Sequence, residues 1–333
     1  MVMVSGRPIV FVLIGILCLI CVHQLWTPTP VLNRQRLAEF IESQRAQWQI
    51  TTQLPTHDDN ENKAQLGFAV KHCIIEAPNN LWHKFVDVVN NCIKQNSKID
   101  PRDKAQFLRL HMGRFGEIKY FLPLIDKSDR PANFSCRWLT IGIGGDSLVE
   151  QEMKTKYYPE CQLYGIEPGD KDQYANFESY GTVIPKAVGV EQGELTMRLR
   201  VKTTYEFHKV PIVPMPALLD EYLHSRLVHF STLDIEGFEY PLLKAMEVDN
   251  PFAQAGVKFC QMDVELHSPE MVVKFAGGIQ NVDDWDKFMR TFLRQTSFVP
   301  VIADTFLGHR KVTLIDPTVP ECMKMFDMDK FLT

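Results

Sequence analysis

Three short stretches of this chain hold residues whose types and spacing could do chemistry. The first is Thr140-Ile141-Gly142-Ile143-Gly144-Gly145-Asp146, where Gly142, Gly144 and Gly145 close an apolar run and Ser147-Leu148-Val149-Glu150 follows as a capping box. Glycines at such a place let backbone approach a ligand and turn sharply into a helix whose first amides point at the bound group. The second is Glu167, 23 residues after Gly144, at the end of the apolar run Gln162 to Ile166. A nucleotide-binding sheet places a carboxylate there to accept hydrogen bonds from ribose hydroxyls. The third is a pair of acid-rich strand ends, Asp234-Ile235-Glu236-Gly237-Phe238-Glu239 and Asp263-Val264-Glu265-Leu266-His267. Asp234, Glu236, Glu265 and His267 are expected to converge where strands of an open parallel sheet end, the usual ligand crevice.

Two cofactors fit the glycine turn and Glu167: S-adenosylmethionine and a dinucleotide. A pyrophosphate calls for G-x-G-x-x-G, whereas here the third glycine comes early and Asp146 would repel an anion. The sulfonium and amino group of adenosylmethionine tolerate carboxylates, which favours the methyl donor; a dinucleotide-binding oxidoreductase is the alternative. His267, whose unperturbed pKa lies nearest neutrality, and Asp234 are the candidates for a general base, with Glu236 and Glu265 beside them. His267 could equally be a histidine that merely caps the strand end. Glu239 reads as a first-turn helix acid. No metal ligand is assigned: His72, His83 and His111 lack ligand spacing, although the same strand-end carboxylates could hold a hard divalent cation.

The elements that must position these residues follow from periodicity. After Arg130-Pro131, short apolar runs (Trp138 to Ile143, Gln162 to Ile166, Thr182 to Val188, Val228 to Leu233, Val257 to Val264) alternate with helical intervals (Ser147 to Lys156, Lys171 to Ser179, Ala217 to Leu223, Glu239 to Met246, Val282 to Arg294). That alternation predicts a doubly wound, mostly parallel α/β sheet. Phe298 to Ala303 and Lys311 to Ile315, joined near Gly308, predict an antiparallel pair that closes it. Between residues 66 and 130 the spacing of Leu81, Trp82, Phe85, Val88, Val89, Cys92 and Ile93 is helical, so a helical cap is expected there, ahead of the main domain at 131–333.

At this point the sequence resembles the FkbM-type methyltransferases. The resemblance rests on Thr140 to Asp146, on Tyr164-Gly165-Ile166-Glu167-Pro168 and above all on the D-x-E-G-x-E block from Asp234 to Glu239. Ala187-Val188-Gly189, Gly193-Glu194-Leu195 and Ala217 to Tyr222 follow in the family's order, over roughly Arg137 to Pro317. It implies a class I methyltransferase-like Rossmann fold and O-methyl transfer from S-adenosylmethionine. Gly142, Gly144, Gly145 and Glu167 would bind the donor, and Asp234 and Glu236 would border the reacting centre. Many relatives carry an acid where this chain has Thr140, and Asp146 is the candidate substitute. A non-catalytic, membrane-anchored binding protein that keeps the fold is the other reading.

Composition sets the surroundings. The 333 residues are 45% hydrophobic and 23% charged, and 36 basic against 41 acidic side chains give a net charge of -5 with no basic run to neutralise phosphates, so nucleic acid is not expected as a partner. Ile9 to Val22 is unbroken apolar sequence that continues to Trp26, near the roughly 17 to 25 residues of a spanning helix. A signal anchor at 8–26 is therefore expected after a tail at 1–7, with a polar stem at 27–65; the rival, a cleaved signal peptide, finds a poor cleavage site in His23 to Pro28. Arg7 on one side and Arg34 and Arg36 on the other leave orientation undecided. Six of the eight cysteines lie beyond the anchor and Asn133-Phe134-Ser135 is a glycosylation sequon, which together point to a Golgi or endoplasmic reticulum lumen and so to a glycan or small-molecule hydroxyl acceptor. Cys136 and Cys161 precede adjacent parallel strands and are expected to pair.

Overall fold

Seven strands form one twisted sheet whose order explains where the chemistry collects. A computed structural model describes residues 59–332 apart from 114–115, 202–203 and 273–278. Asp59–Thr333 forms one compact unit, without a break at residue 130. The expected anchor from Ile9 to Trp26 lies outside the described residues, among which no helix is long and apolar enough to cross a membrane. Helix begins already at Asp59, inside the expected stem.

Helices α1 (Asp59–Ile75) and α2 (Leu81–Asn96) are joined by the Cys73–Cys92 disulfide. Asn80, in the left-handed region (φ 72°), gives α2 no side-chain cap. Asp286 caps it from a distant helix instead, accepting from Leu81 N at 2.7 Å and Trp82 N at 2.9 Å. The rest of the expected helical cap is a hairpin, β1 (Leu108–His111) and β2 (Ile118–Phe121). Its alternating Leu108 and Leu110 are buried while Arg109 and His111 point out, so a two-residue period overrides the helical reading there.

The main strands are β3 (Arg137–Ile141), β4 (Gln162–Ile166), β5 (Thr182–Ile184), β6 (Ala187–Gly189), β7 (Gly193–Val201), β8 (Thr204–Pro214), β9 (Leu227–Leu233), β10 (Lys258–Leu266), β11 (Val299–Phe306) and β12 (His309–Ile315). The large sheet runs β11-β12-β10-β9-β3-β4-β5, parallel from β10 to β5, with β12 antiparallel to both its neighbours. From β3 the chain winds outward through β4 to β5, then returns to β9 on the other side. The β3/β9 boundary is thus the switch point at which such sheets bind ligands. Both sides are covered, and Phe230 of β9 sits at the centre of an aromatic core with Phe121, Trp138 and Phe326.

Two expected elements differ. Thr182 to Val188 is not one strand: Pro185, which has no amide hydrogen to give, separates β5 from β6, and β6 joins β8 and β7 in a second, three-stranded sheet. Lys171 to Ser179 forms two 3-10 turns rather than a helix, because its backbone bends to give the Gln173 carbonyl to Gly145 N at 2.8 Å.

All six cysteines of the described residues are paired: Cys73–Cys92, the expected Cys136–Cys161, and Cys260–Cys322. Peptide maps of non-reduced protein are expected to recover these three links, which reduction dissolves. Free thiols at all six positions in freshly purified protein would contradict the pairing.

Candidate active site

β3 ends against β9 so closely that only glycine can follow it. Gly142 has φ +93°, and a Cβ built there would lie 2.0 Å from the carbonyl oxygen of Asp234. Gly142 N donates to Ile166 O and Asp234 N to Ile141 O, each at 3.0 Å, which pins the ends of three strands together. Gly144 has φ +60° with nothing within 4 Å of its Cβ position. Its amide donates to Glu167 Oε2 at 3.0 Å, while Glu167 Oε1 accepts from Gly169 N at 2.8 Å. Glu167 therefore braces the glycine turn as well as facing the cleft, and burial raises its pKa against the pull of those amides.

A cleft of about 310 Å³ opens over these strand ends, lined by Gly142, Gly144 and Glu167 on one side and Asp234, Glu236, Glu265 and His267 on the other. That volume lies at the lower end of ligand pockets, roughly 300 to 1,000 Å³. Seven of the nine expected site residues line this crevice, and Gly145 lies next to Gly144 in the turn. Asp146 is not on its wall: Oδ1 accepts from Leu148 N at 3.0 Å, so the residue caps the following helix, α3 (Leu148–Glu152). Thr140 itself is hydrogen-bonded through its hydroxyl to the buried carboxyl of Glu150 on α3.

Glu150 carries a testable cost. Burial, partly offset by the Thr140 bond, lifts its pKa from 4.5 to about 6. The folded value is the higher one, so the associated stability is complete below pH 4.5 and is lost as pH rises through 6. A shift of that size corresponds to about 2 kcal/mol. Glu150→Gln is expected to stabilise the fold by about that amount at pH 7.5 and by little at pH 4.5, in urea unfolding at both pH values. Equal effects at the two pH values would show that ionisation of Glu150 is not the cause.

The other wall is a buried ionic cluster. Glu239, fully buried at the start of α4 (Glu239–Ala245), uses Oε1 to accept from Ile235 N at 3.0 Å, Gly237 N at 3.2 Å and His267 Nδ1 at 2.7 Å. The first two bonds hold the loop in which Glu236 adopts φ +57°. His267 Nε2 then faces Glu236, Asp234 and Glu265 at 3.8, 3.9 and 4.0 Å. Burial alone would lower its pKa, but Glu239 above all, with Asp234 and Glu265, raises it to about 10. With those carboxylates around it, the ring favours its protonated form near neutral pH. Burial and the like charge of Asp234 push Glu265 up to about 8, and burial also raises Asp234 against the opposing Lys119 and His267.

Six contributors were not read from the sequence. Lys119 of β2 lies 3.9 Å from Asp234 and, with Lys311 of β12, pairs with Glu117 at 2.6 Å. His309 lies tilted against His267, ring centres 4.4 Å apart, and its pKa falls to about 4 through burial and the charge of that ring. Tyr205 of β8 donates to Glu236 Oε1 at 2.7 Å and Arg200 of β7 reaches the Gly144 carbonyl at 3.5 Å, so the β7–β8 arm lies across the cleft. The arm was legible: Leu195, Met197, Leu199 and Val201 alternate with polar residues.

The doubly wound sheet with its site at the switch point defines a Rossmann-like ligand-binding protein. Residues 101–299, more than half of the chain, match the model of the methyltransferase FkbM domain, and the chain belongs to that family. The match starts before Arg137 and so includes the β1–β2 hairpin. No curated protein matches the sequence. Among solved structures, the CurJ carbon methyltransferase aligns at 10% identity over 57% of this chain and 50% of its own, with a TM-score of 0.30, so this chain spans about half of that one. A putative O-methyltransferase from Klebsiella pneumoniae aligns at 12% identity over 80% and 93%, TM-score 0.29, and the plantazolicin methyltransferase BpumL in complex with SAH at 10% over 77% and 98%, TM-score 0.26. At such values the likenesses bear on neither the reaction nor the acceptor.

Proposed function

We propose that this methyltransferase takes its methyl group from S-adenosylmethionine and transfers it to a hydroxyl oxygen of a sugar or similar small acceptor, in a secretory lumen where Ile9 to Trp26 anchors it. One observation carries the reading: the glycine turn, Glu167 and the D-x-E block, far apart in sequence, line a single cleft at the switch point. The residues fit the donor. The space at the Cβ position of Gly144 is open beside the cleft, Glu167 stands where ribose hydroxyls would need an acceptor, and the acidic wall suits a sulfonium and an ammonium group.

When bound, the donor supplies an electrophilic methyl group. The chain's own part is positioning and proton transfer. Holding the acceptor oxygen in line against the methyl group provides much of the acceleration. Asp234 and Glu236, the partly exposed acids of the wall, face the cleft and can accept the hydroxyl proton, while the His267 cation balances their charge. The wall also disfavours anionic acceptors.

The luminal setting is supported by the three disulfides and by Asn133, which is exposed. Calorimetric titration of the full-length protein with S-adenosylhomocysteine tests the donor, and labelled donor with fractionated glycans tests the acceptor. Binding of the donor product and label in a glycan fraction are expected. A folded protein that binds no donor product would leave the non-catalytic binding reading, and one that binds NAD(P) instead would restore the oxidoreductase. An unglycosylated Asn133 with the domain open to cytosolic protease would end the luminal assignment.

A further inference from the structure

We propose that the floor of the cleft is a divalent-cation site made by Asp234, Glu265 and His267 and fitted to a first-row ion such as Mn²⁺. The three side chains come from the ends of β9 and β10, and both carboxylates face one ring nitrogen: Asp234 Oδ1 and Glu265 Oε1 lie 3.9 and 4.0 Å from His267 Nε2, and an oxygen of each carboxylate also lies within 4.8 Å of the other. Two atoms bound to one ion at about 2.0 to 2.3 Å can lie up to roughly 4 Å apart, so each carboxylate is within a small side-chain rotation of sharing an ion with Nε2.

Two observations independent of the cluster's acidity point to a ligand. Glu265 lines the cleft with its side chain only 5% exposed, yet its Oε2 has no hydrogen-bond partner among the described residues. A buried carboxylate oxygen in that condition is costly unless a cation meets it. Meanwhile Glu239 holds His267 by Nδ1, which fixes the ring and aims Nε2 at the carboxylates. That carboxylate–imidazole relay behind a ligand nitrogen is how metal-binding histidines are oriented.

Charge and ligand type narrow the ion. Among the described residues, the cations paired with Glu117, Asp234, Glu236, Glu239, Asp263 and Glu265 are Lys119, Lys311 and His267. Lys119 addresses Asp234 through Oδ2, leaving Oδ1 toward His267. His309 is outside the set, because its Nδ1 accepts from Ser268 N at 3.2 Å and the remaining nitrogen carries the proton. Two oxygens and one imidazole suit a first-row ion better than Ca²⁺, which takes 6–8 oxygens, or Mg²⁺, which is held through carboxylates and water. The ion takes the place of the proton on Nε2 and of the one Glu265 holds near neutral pH, and both leave to solvent. With Asp234 so engaged, Glu236 is left as proton acceptor for a hydroxyl.

The inference rests on this geometry and not on the methyl-transfer reading. Full-length protein in detergent, stripped with chelator, is titrated with Mn²⁺ while electron paramagnetic resonance reads the free aquo ion. Uptake of one equivalent is expected, weakened at least 30-fold in both Glu265→Gln and Asp234→Asn. Should Glu265→Gln fail to fold by circular dichroism, Asp234→Asn, at a partly exposed position, decides alone. No uptake by the unmodified protein, or uptake undiminished in the folded variants, overturns the site. Parallel titration with S-adenosylhomocysteine separates the two claims: donor binding without Mn²⁺ uptake sinks the cation site only, and the reverse sinks only the donor assignment.

Discussion

Gly142→Ala is expected to lower affinity for S-adenosylhomocysteine at least 100-fold and to destabilise the domain by several kcal/mol. The added methyl group would sit 2.0 Å from the Asp234 carbonyl oxygen, at a φ of +93° that L side chains rarely adopt. Neither backbone can give way cheaply, because Gly142 N is bonded to β4 and Asp234 N to β3. Relief therefore separates β3 from β9, and that boundary is the floor of the cleft. Clashes of this kind with backbone cost about 3 kcal/mol or more. Gly144→Ala is the matched control: φ is +60°, but the new methyl group meets nothing within 4 Å. Its stability loss should stay near 1 to 2 kcal/mol, the left-handed penalty. Calorimetry should still show weakened binding, because the methyl group projects into the ligand's space. A Gly142→Ala protein with unchanged unfolding and unchanged binding would show that the switch point is not where the donor lies.

The same residues show how far the sequence could be read. Gly142, Glu167, Asp234 and His267 were legible because strand, turn and helix signals place them at strand ends by local pattern alone, and strand ends meet at a crevice in any parallel sheet. Lys119, Lys311 and His309 were not, since their part depends on β2 packing against β10 and on β12 returning antiparallel beside it, long-range pairings that no window of sequence encodes. Asp146 gives one oxygen to Leu148 N, a local bond that a turn pattern suggests, whereas the bond between Thr140 and Glu150 joins a strand to the next helix and could not be read from local pattern. His267 shows the sharpest limit: its identity pointed to a base, but three carboxylates gathered from different elements make it a cation.

Glu239 should prove the most sensitive single position of the acidic wall, although its place in the helix's first turn suggested only a local role. Glu239→Ala strips the acceptor from two backbone amides and from His267 Nδ1. Buried donors left unpaired cost about 1 to 3 kcal/mol each, so a loss of about 3 to 5 kcal/mol in chemical unfolding is expected, with release of the loop that holds Glu236 at φ +57°. Glu239→Gln separates the bonding from the charge. Its amide oxygen can still accept from Ile235 N and Gly237 N, so most of the stability should return, while His267 loses its nearest negative partner. In chelator-treated protein the ring should then titrate well below about 10, back toward 6.5, as read by imidazole NMR shifts. The sign for stability follows: a raised histidine pKa stabilises fully below pH 6.5 and loses that contribution as pH climbs through 10. Unfolding free energy should therefore fall between those limits in the unmodified protein and lie flatter in Glu239→Gln. If the ring titrates identically in both, Glu239 does not set the charge of His267, and the cation facing Asp234, Glu236 and Glu265 must be sustained by those three carboxylates alone.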